Sequence, residues 1–179
     1  MLWIAAFFVL AYAGLIGVRV LYPIDYIDAL ESIAANYDLD PALVAAVVCA
    51  ESRFAADARS PQGAVGLMQI MPTTGSWIAE QLAWEDFDGN LLLNPTVNLR
   101  FGSWYLAYLV GRFATLDQVL VAYNAGPSIA EQWSGNVDTL CTETAQYVSR
   151  VRSRIPIYRV LLRWRFVLRI TPSILGLRR

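Results

Sequence analysis

Apolar residues recur at helical spacing through the middle of the chain. Between Ile27 and Tyr37, the residues Ala29, Leu30, Ile33 and Ala34 form an i, i+1, i+4, i+5 stripe that predicts an amphipathic helix. Leu43 to Ala50 is an unbroken apolar run. Ahead of it stand Asp40 and Pro41, an N-cap residue and a proline suited to the first helical position. Further helices are predicted from Thr73 or Thr74 to about Ala83, from Pro95 to about Phe113 behind Asn94, from Asp117 to Tyr123, from Ser128 to Trp133, and from Glu143 to about Arg154. No alternating pattern of useful length predicts a strand. The expected fold class is all-α, with long ordered loops between the helices.

Both ends depart from this pattern. Leu2 to Val18 is a run of 17 residues without a charge, at the short end of what spans a bilayer. Residues 1–20 therefore predict a signal anchor or transmembrane helix. Two alternatives stand beside it: Ala11-Tyr12-Ala13 fits the cleavage pattern of a signal peptide, and a short apolar helix can also belong to a core. No basic residue precedes the run, so its orientation is weakly specified. Residues 159–179 form a basic, apolar tail in which arginines alternate with Leu161, Leu162, Trp164, Phe166, Val167, Leu168 and Ile170. Such segments lie on anionic membrane surfaces. Anionic wall polymers are a second candidate partner, and a terminal helix packed on the domain is the plain alternative. Residues 24–158 are left as one domain.

Composition removes several chemistries. The 179 residues contain no His and two Cys, which excludes His-based catalysis and a conventional zinc site. The formal net charge of −1 hides a segregation. Asp25 to Glu143 holds all 15 acids against four arginines, a surplus of 11 negative charges, whereas Arg150 onward holds nine arginines and no acid. An acidic body argues against nucleic acid as a substrate. A carboxylate is the remaining acid–base group.

Glu51 is the carboxylate that stands out. It emerges from the apolar run 43–50, where poor solvation and the negative end of a helix both raise a carboxyl pKa. A carboxyl kept protonated near neutral pH can serve as a general acid. Downstream lies Ser60-Pro61-Gln62-Gly63-Ala64-Val65-Gly66-Leu67-Met68-Gln69-Ile70-Met71-Pro72, with glycines that permit close backbone approach and an amide, Gln69, that needs a partner among apolar neighbours. Tyr123-Asn124 precede a Gly-Pro turn, and Glu143-Thr144 precede Tyr147-Val148.

Taken in this order, Glu51-Ser52, Gly66-Leu67-Met68-Gln69-Ile70-Met71-Pro72, Asn94-Pro95 through Gly102, Ala122-Tyr123-Asn124-Ala125-Gly126 and Glu143-Thr144 resemble the soluble lytic transglycosylase (SLT) domain family, with its goose-type-lysozyme-like fold. The resemblance runs from about Tyr26 to Tyr158. It implies an extracytoplasmic domain that acts on peptidoglycan glycan strands without a cofactor or metal. Glu51 would be the catalytic acid. Ser60, Met68, Gln69, Tyr123, Asn124 and Glu143 would bind substrate, with Tyr123 bonded to the Glu51 carboxyl. For Glu143, capping the first turn of the last helix is an equal alternative.

Glycoside cleavage ordinarily uses two carboxylates. No second one stands out near Glu51, the next acid being Asp57. One is enough if the substrate supplies its own nucleophile. The family's route does so: N-acetylmuramic acid closes its C6 hydroxyl onto C1, leaving a 1,6-anhydromuramyl end. A hydrolytic muramidase of the same fold and a non-catalytic glycan-binding module are the competing functions. The implied location is the cell membrane with the domain on its wall side, or outside the cell if residues 1–20 are cleaved. Neither the oligomeric state nor a Cys49–Cys141 disulfide is decided by the sequence. Asp86-Phe87-Asp88-Gly89-Asn90 fails as a calcium loop, because Leu91 and Val97 stand where Gly and Glu are needed. Trp77, Trp84, Trp104, Trp133, Tyr105 and Tyr108 are core or sugar-stacking candidates.

Overall fold

The structure is a computed structural model that describes residues 12, 14 and 16–164. Residues 16–21 are helical, and from Ile27 onward seven α-helices follow among the described residues: α1 (Ile27–Asn36), α2 (Pro41–Glu51), α3 (Pro72–Gln81), α4 (Pro95–Arg112), α5 (Leu116–Ala125), α6 (Pro127–Gln132) and α7 (Thr142–Arg163). Short 3-10 turns lie at Gly89–Leu93 and Val137–Thr139. The described residues hold no strand beyond isolated bridges pairing Val65 with Arg59 and with Ile70.

Local chemistry fixes the starts of these helices. Asp40 accepts the Ala42 N–H at 2.9 Å, and Pro41 occupies the first helical position, where a missing N–H costs nothing. Asn94 accepts from Thr96 and Val97 ahead of Pro95 in the same way. Thr115 caps α5 by accepting from Gln118 at 3.2 Å. The apolar run of α2 has no polar face, and Ala42 through Cys49 are all buried. This helix is therefore the axis of the domain, with α1 and α7 packed against it.

The last helix differs from expectation. It was predicted to end near Arg154, ahead of Pro156, yet α7 runs on through Pro156 to Arg163 and past the boundary placed at 159. Pro156 removes one backbone donor, and tertiary contacts outweigh that loss. Tyr147, Val148, Val151, Ile155 and Tyr158 form a buried stripe. The Tyr158 hydroxyl donates to the Pro23 carbonyl at 2.8 Å. Arg159 donates to Asp40 at 2.9 and 2.7 Å, and Arg152 to Asp117 at 2.8 Å. The basic end of the chain thus begins by folding back on its acidic body.

Most of the membrane segment expected over residues 1–20, and residues 165–179 of the basic tail, lie outside the described residues. Among the described residues no helix is long and apolar enough to cross a membrane. Cys49 and Cys141 are free thiols, the first buried in α2 and the second exposed at the start of α7. Asp88 uses its carboxylate to cap the 3-10 turn through Asn90, at 3.0 Å.

Because Asp40 serves both α2 and Arg159, its two roles separate by substitution. Asp40→Ala should cost about 1–2 kcal/mol, and Asp40→Asn, which keeps the cap, no more than about 1. Urea unfolding midpoints of the two variants check this.

Candidate active site

Glu51 is the last residue of α2 and half-buried. Its carboxyl sits among side chains that exclude water, and this desolvation raises its pKa from 4.5 to about 7. Two groups on α7 oppose the rise, first the Tyr147 hydroxyl and then the charge of Arg150. Tyr147 is 2% exposed, and its hydroxyl meets no partner at full hydrogen-bond geometry, although it lies near enough to Glu51 to favour the ionised carboxyl. Burial, followed by the Glu51 charge, holds the hydroxyls of both Tyr123 and Tyr147 well above the usual tyrosine range. Both therefore remain donors at any working pH.

The chain just past Glu51 is strained. Arg53 and Phe54 adopt successive positive φ angles of 52° and 65°, a region that a bulky residue avoids. The buried Phe54 ring packs near Tyr158, 6.2 Å between centroids, and Arg53 donates to the Val20 carbonyl at 2.7 Å. These contacts hold the turn that stops α2 at the carboxylate.

Beside the end of α2 stands the loop 58–71, held by Ser52, which caps that helix, and by side chains from two others. Ser52 donates to the Leu67 carbonyl at 2.7 Å. Asn98 of α4, fully buried, accepts from the Met68 N–H at 2.7 Å and donates to the carbonyls of Val65 and Leu92 at 2.8 Å each. Tyr123 of α5 donates to the Met68 carbonyl at 3.0 Å. The Met68 peptide groups are thereby clamped from both sides. Gly66 (φ 80°) and Gly102 make the approach possible: a Cβ on Gly66 would stand 2.6 Å from the Leu92 carbonyl, and one on Gly102 2.7 Å from the Met68 Cβ.

Each expected site residue has a definite place. Tyr123 was expected to bond the Glu51 carboxyl; it donates to Met68 instead, and Tyr147 is the hydroxyl interacting with Glu51. Met68 has a buried side chain packed at Gly102, so only its backbone borders the site. Gln69, at φ 48°, gives both amide hydrogens to the loop, at 2.8 Å to the Gly66 carbonyl and 3.2 Å to that of Ala58. Ser60 accepts the Ala64 N–H at 3.0 Å and so closes its own turn. Asn124 is half-buried in the last turn of α5. Glu143 is exposed in the first turn of α7, one turn ahead of Tyr147 and on the same face.

Sequence reasoning passed over Tyr147, Arg150 and Asn98 as site components. A signal existed for Asn98 and Tyr147, since each places a polar atom within a buried helical stripe, where it requires a partner. For Arg150 there was none, because its effect on Glu51 depends on how α7 crosses α2.

The fold is lysozyme-like, and comparisons with known proteins give it a family. A model of the transglycosylase SLT domain matches residues 28–145, and the chain belongs to that family. The soluble lytic murein transglycosylase of Salmonella typhimurium is 31% identical over 152 residues, covering 77% of this chain and 23% of that protein. The membrane-bound lytic murein transglycosylase C of Actinobacillus pleuropneumoniae is 32% identical over 113 residues, covering 56% and 30%. The lytic transglycosylase Slt of Pseudomonas aeruginosa, solved as an inactive mutant, superposes with a TM-score of 0.77 at 31% identity, covering 82% of this chain and 26% of that one. The chain thus spans between about a quarter and a third of these proteins' lengths.

Two measurements test the site. The raised pKa means that the folded state holds a proton more tightly than the unfolded state, so stability is lost as pH rises from about 4.5 through about 7. Glu51→Gln removes that ionisation. It should be more stable than the parent at pH 8, by on the order of 3 kcal/mol at most, with the advantage fading below pH 5. Denaturant titrations at the two pH values decide it. Asn98→Ala leaves the Met68 N–H without its acceptor and takes a donor from the Leu92 and Val65 carbonyls, the second of which keeps the Ile70 N–H, and should cost about 2–4 kcal/mol. Its urea midpoint, set against that of Gln62→Ala on the exposed tip of the loop, reports the loss.

Proposed function

We propose that this chain is a peptidoglycan lytic transglycosylase. It cleaves the β-1,4 bond between N-acetylmuramic acid and N-acetylglucosamine and leaves a 1,6-anhydromuramyl end. The observation that carries this reading is the Glu51 carboxyl, lifted to about 7 by desolvation in a lysozyme-like site where Asp57, the next acid in sequence, is exposed. Protonated Glu51 gives its proton to the glycosidic oxygen as the C1–O bond breaks, and the 4-hydroxyl of N-acetylglucosamine departs. The N-acetyl oxygen of the muramoyl residue stabilises C1. The Glu51 carboxylate then takes the proton from the C6 hydroxyl while O6 bonds to C1, which regenerates the acid without consuming water.

The other site residues support these steps. Tyr147 and Arg150 favour the carboxylate and keep its pKa from rising beyond the working range. Met68, Gln69 and Ser60 shape the glycan wall opposite, with Asn124 and Glu143 at its margins. The chain requires no cofactor or metal for this chemistry. The domain acts on the wall side of the membrane, held there by residues 1–20; its relatives bear the names of soluble and membrane-bound enzymes alike.

Mass analysis of muropeptides released from purified peptidoglycan by the full chain tests the proposal. The expected products are one water lighter than hydrolytic fragments and absent with Glu51→Gln. Products of hydrolytic mass identify a muramidase, whereas glycan binding without release by both proteins identifies a binding module. The rate at limiting substrate should also fall about tenfold per unit above about pH 7, as Glu51 loses its proton.

A further inference from the structure

The four most exposed large apolar side chains among the described residues are Val20, Leu21, Val160 and Trp164. Two stand just ahead of the domain and two at the end of α7, yet the fold brings these stretches together. The Tyr158 hydroxyl holds the Pro23 carbonyl at 2.8 Å, and the Tyr158 ring meets that of Tyr22 edge-on, 6.4 Å between centroids. Trp164 follows Tyr158 by less than two turns of helix, about 9 Å of rise. Arg53, two residues past the acid, donates to the Val20 carbonyl at 2.7 Å, which joins the same end to the turn that stops α2. Both stretches continue into sequence outside the described residues: the uncharged run from Leu2 at one terminus, and 165–179 at the other.

Apolar side chains scattered singly over a surface need no partner, but four gathered at one end do. Charge decides which partner. Two acids at this end are already matched, Asp25 with Arg19 at 3.2 Å and Asp40 with Arg159 at 2.7 Å. Arg163 pairs with no acid among the described residues, and Arg165, Arg169, Arg178 and Arg179 follow it with no acid between them. Val160 and Trp164 lie one turn apart on α7, with arginines on either side of them. An indole flanked by arginines suits the boundary between anionic headgroups and acyl chains, where the ring enters the apolar layer and the guanidinium groups stay with the phosphates. The acidic surplus of the remaining domain is repelled from such a surface, so this end is the one that can approach it.

We propose that residues 18–21 and the last turn of α7, Val160 to Trp164, form one footing on an anionic lipid surface and so orient the domain against the bilayer. The proposal rests on the membrane placement of residues 1–20 read above and adds a second contact to it; the glycan chemistry is independent of both. A domain on a single tether samples every orientation, whereas one that stands on two contacts keeps one. Through Arg53 and the Val20 carbonyl, Glu51 is tied to that footing and held at a fixed height above the lipid.

The test uses the full chain carrying Trp3→Phe, so that every remaining tryptophan lies outside residues 1–20. It is reconstituted into vesicles of brominated phosphatidylcholine with a minority of phosphatidylglycerol, in which bromine quenches any indole that enters the acyl region. Relative to unbrominated lipid, emission should fall by about a fifth, the share of Trp164 among the tryptophans that remain. Adding Trp164→Phe should abolish that loss, because Trp77, Trp84, Trp104 and Trp133 stand clear of the lipid. Omitting phosphatidylglycerol, raising the salt concentration, or introducing Arg163→Glu should each diminish it. An unquenched Trp164 in vesicles that carry the chain, or quenching indifferent to phosphatidylglycerol and salt, would overturn the footing while leaving the anchor standing. A chain that does not float with the vesicles would sink anchor and footing together, and muropeptide release would still decide the glycan chemistry.

Discussion

The desolvation of one carboxyl at the end of α2 organises this domain. A helix with eight consecutive buried residues must be covered on every side, and α1, α7 and the loop 58–71 are arranged to cover it. Its last residue consequently emerges into protein rather than into water. A soluble amphipathic helix would present its C-terminal residue to solvent, and a carboxylate there would titrate normally. The perturbed acidity of Glu51 is thus a property of the whole apolar run, with Tyr147 and Arg150 trimming it. The cost is visible nearby: two successive residues at positive φ and a buried tyrosine hydroxyl without a full hydrogen bond.

The wall facing the acid follows a different principle. A loop of irregular backbone cannot satisfy its own polar groups, so the helices around it do so. Asn98 supplies one acceptor and two donors to three separate backbone groups, and Ser52 and Tyr123 complete the set. Asn98 and Tyr123 come from helices and Ser52 from the residue that caps one, and the loop therefore inherits their rigidity. The glycines at 66 and 102 are where backbone and helix come too close for a Cβ, so a methyl group at either would break the arrangement that Asn98 maintains. Gln69 adds a lock from within the loop.

How much of this was readable in advance depends on whether the determinant is local. The helices announced by a cap and a proline, at Asp40-Pro41 and Asn94-Pro95, begin where those residues stand, because capping is settled within three residues of chain. The end of α7 was not readable: Pro156 is a local stop signal, and the contacts that override it come from Pro23 and Asp40, more than a hundred positions away. The same distinction sorts the site. The acidity of Glu51 followed from its immediate neighbours. Which tyrosine sits beside it did not, since Tyr123 and Tyr147 are both plausible in sequence and only the crossing of α2 with α5 and α7 assigns one to Met68 and the other to the carboxyl. The charge segregation had a plainer outcome than a membrane surface alone, because Arg152 and Arg159 are already paired with Asp117 and Asp40.

In the proposed reaction, one cause serves both proton transfers. Desolvation makes protonated Glu51 available near neutral pH, which the first step needs. Once the proton has gone to the leaving oxygen, the same lack of hydration leaves a carboxylate more basic than one in water, which the second step needs to activate the C6 hydroxyl. A conventional pair of carboxylates divides these demands between two environments, one raising and one lowering the pKa. A single carboxyl cannot be given two environments, so its pKa must lie where either form is accessible. Tyr147 and Arg150 act in that sense: without their pull, desolvation alone would hold Glu51 further above neutrality, making it a weaker proton donor in the first transfer even as it became a stronger base for the second. A tyrosine donor and a nearby arginine thus limit the shift to a value from which the proton can both leave and return.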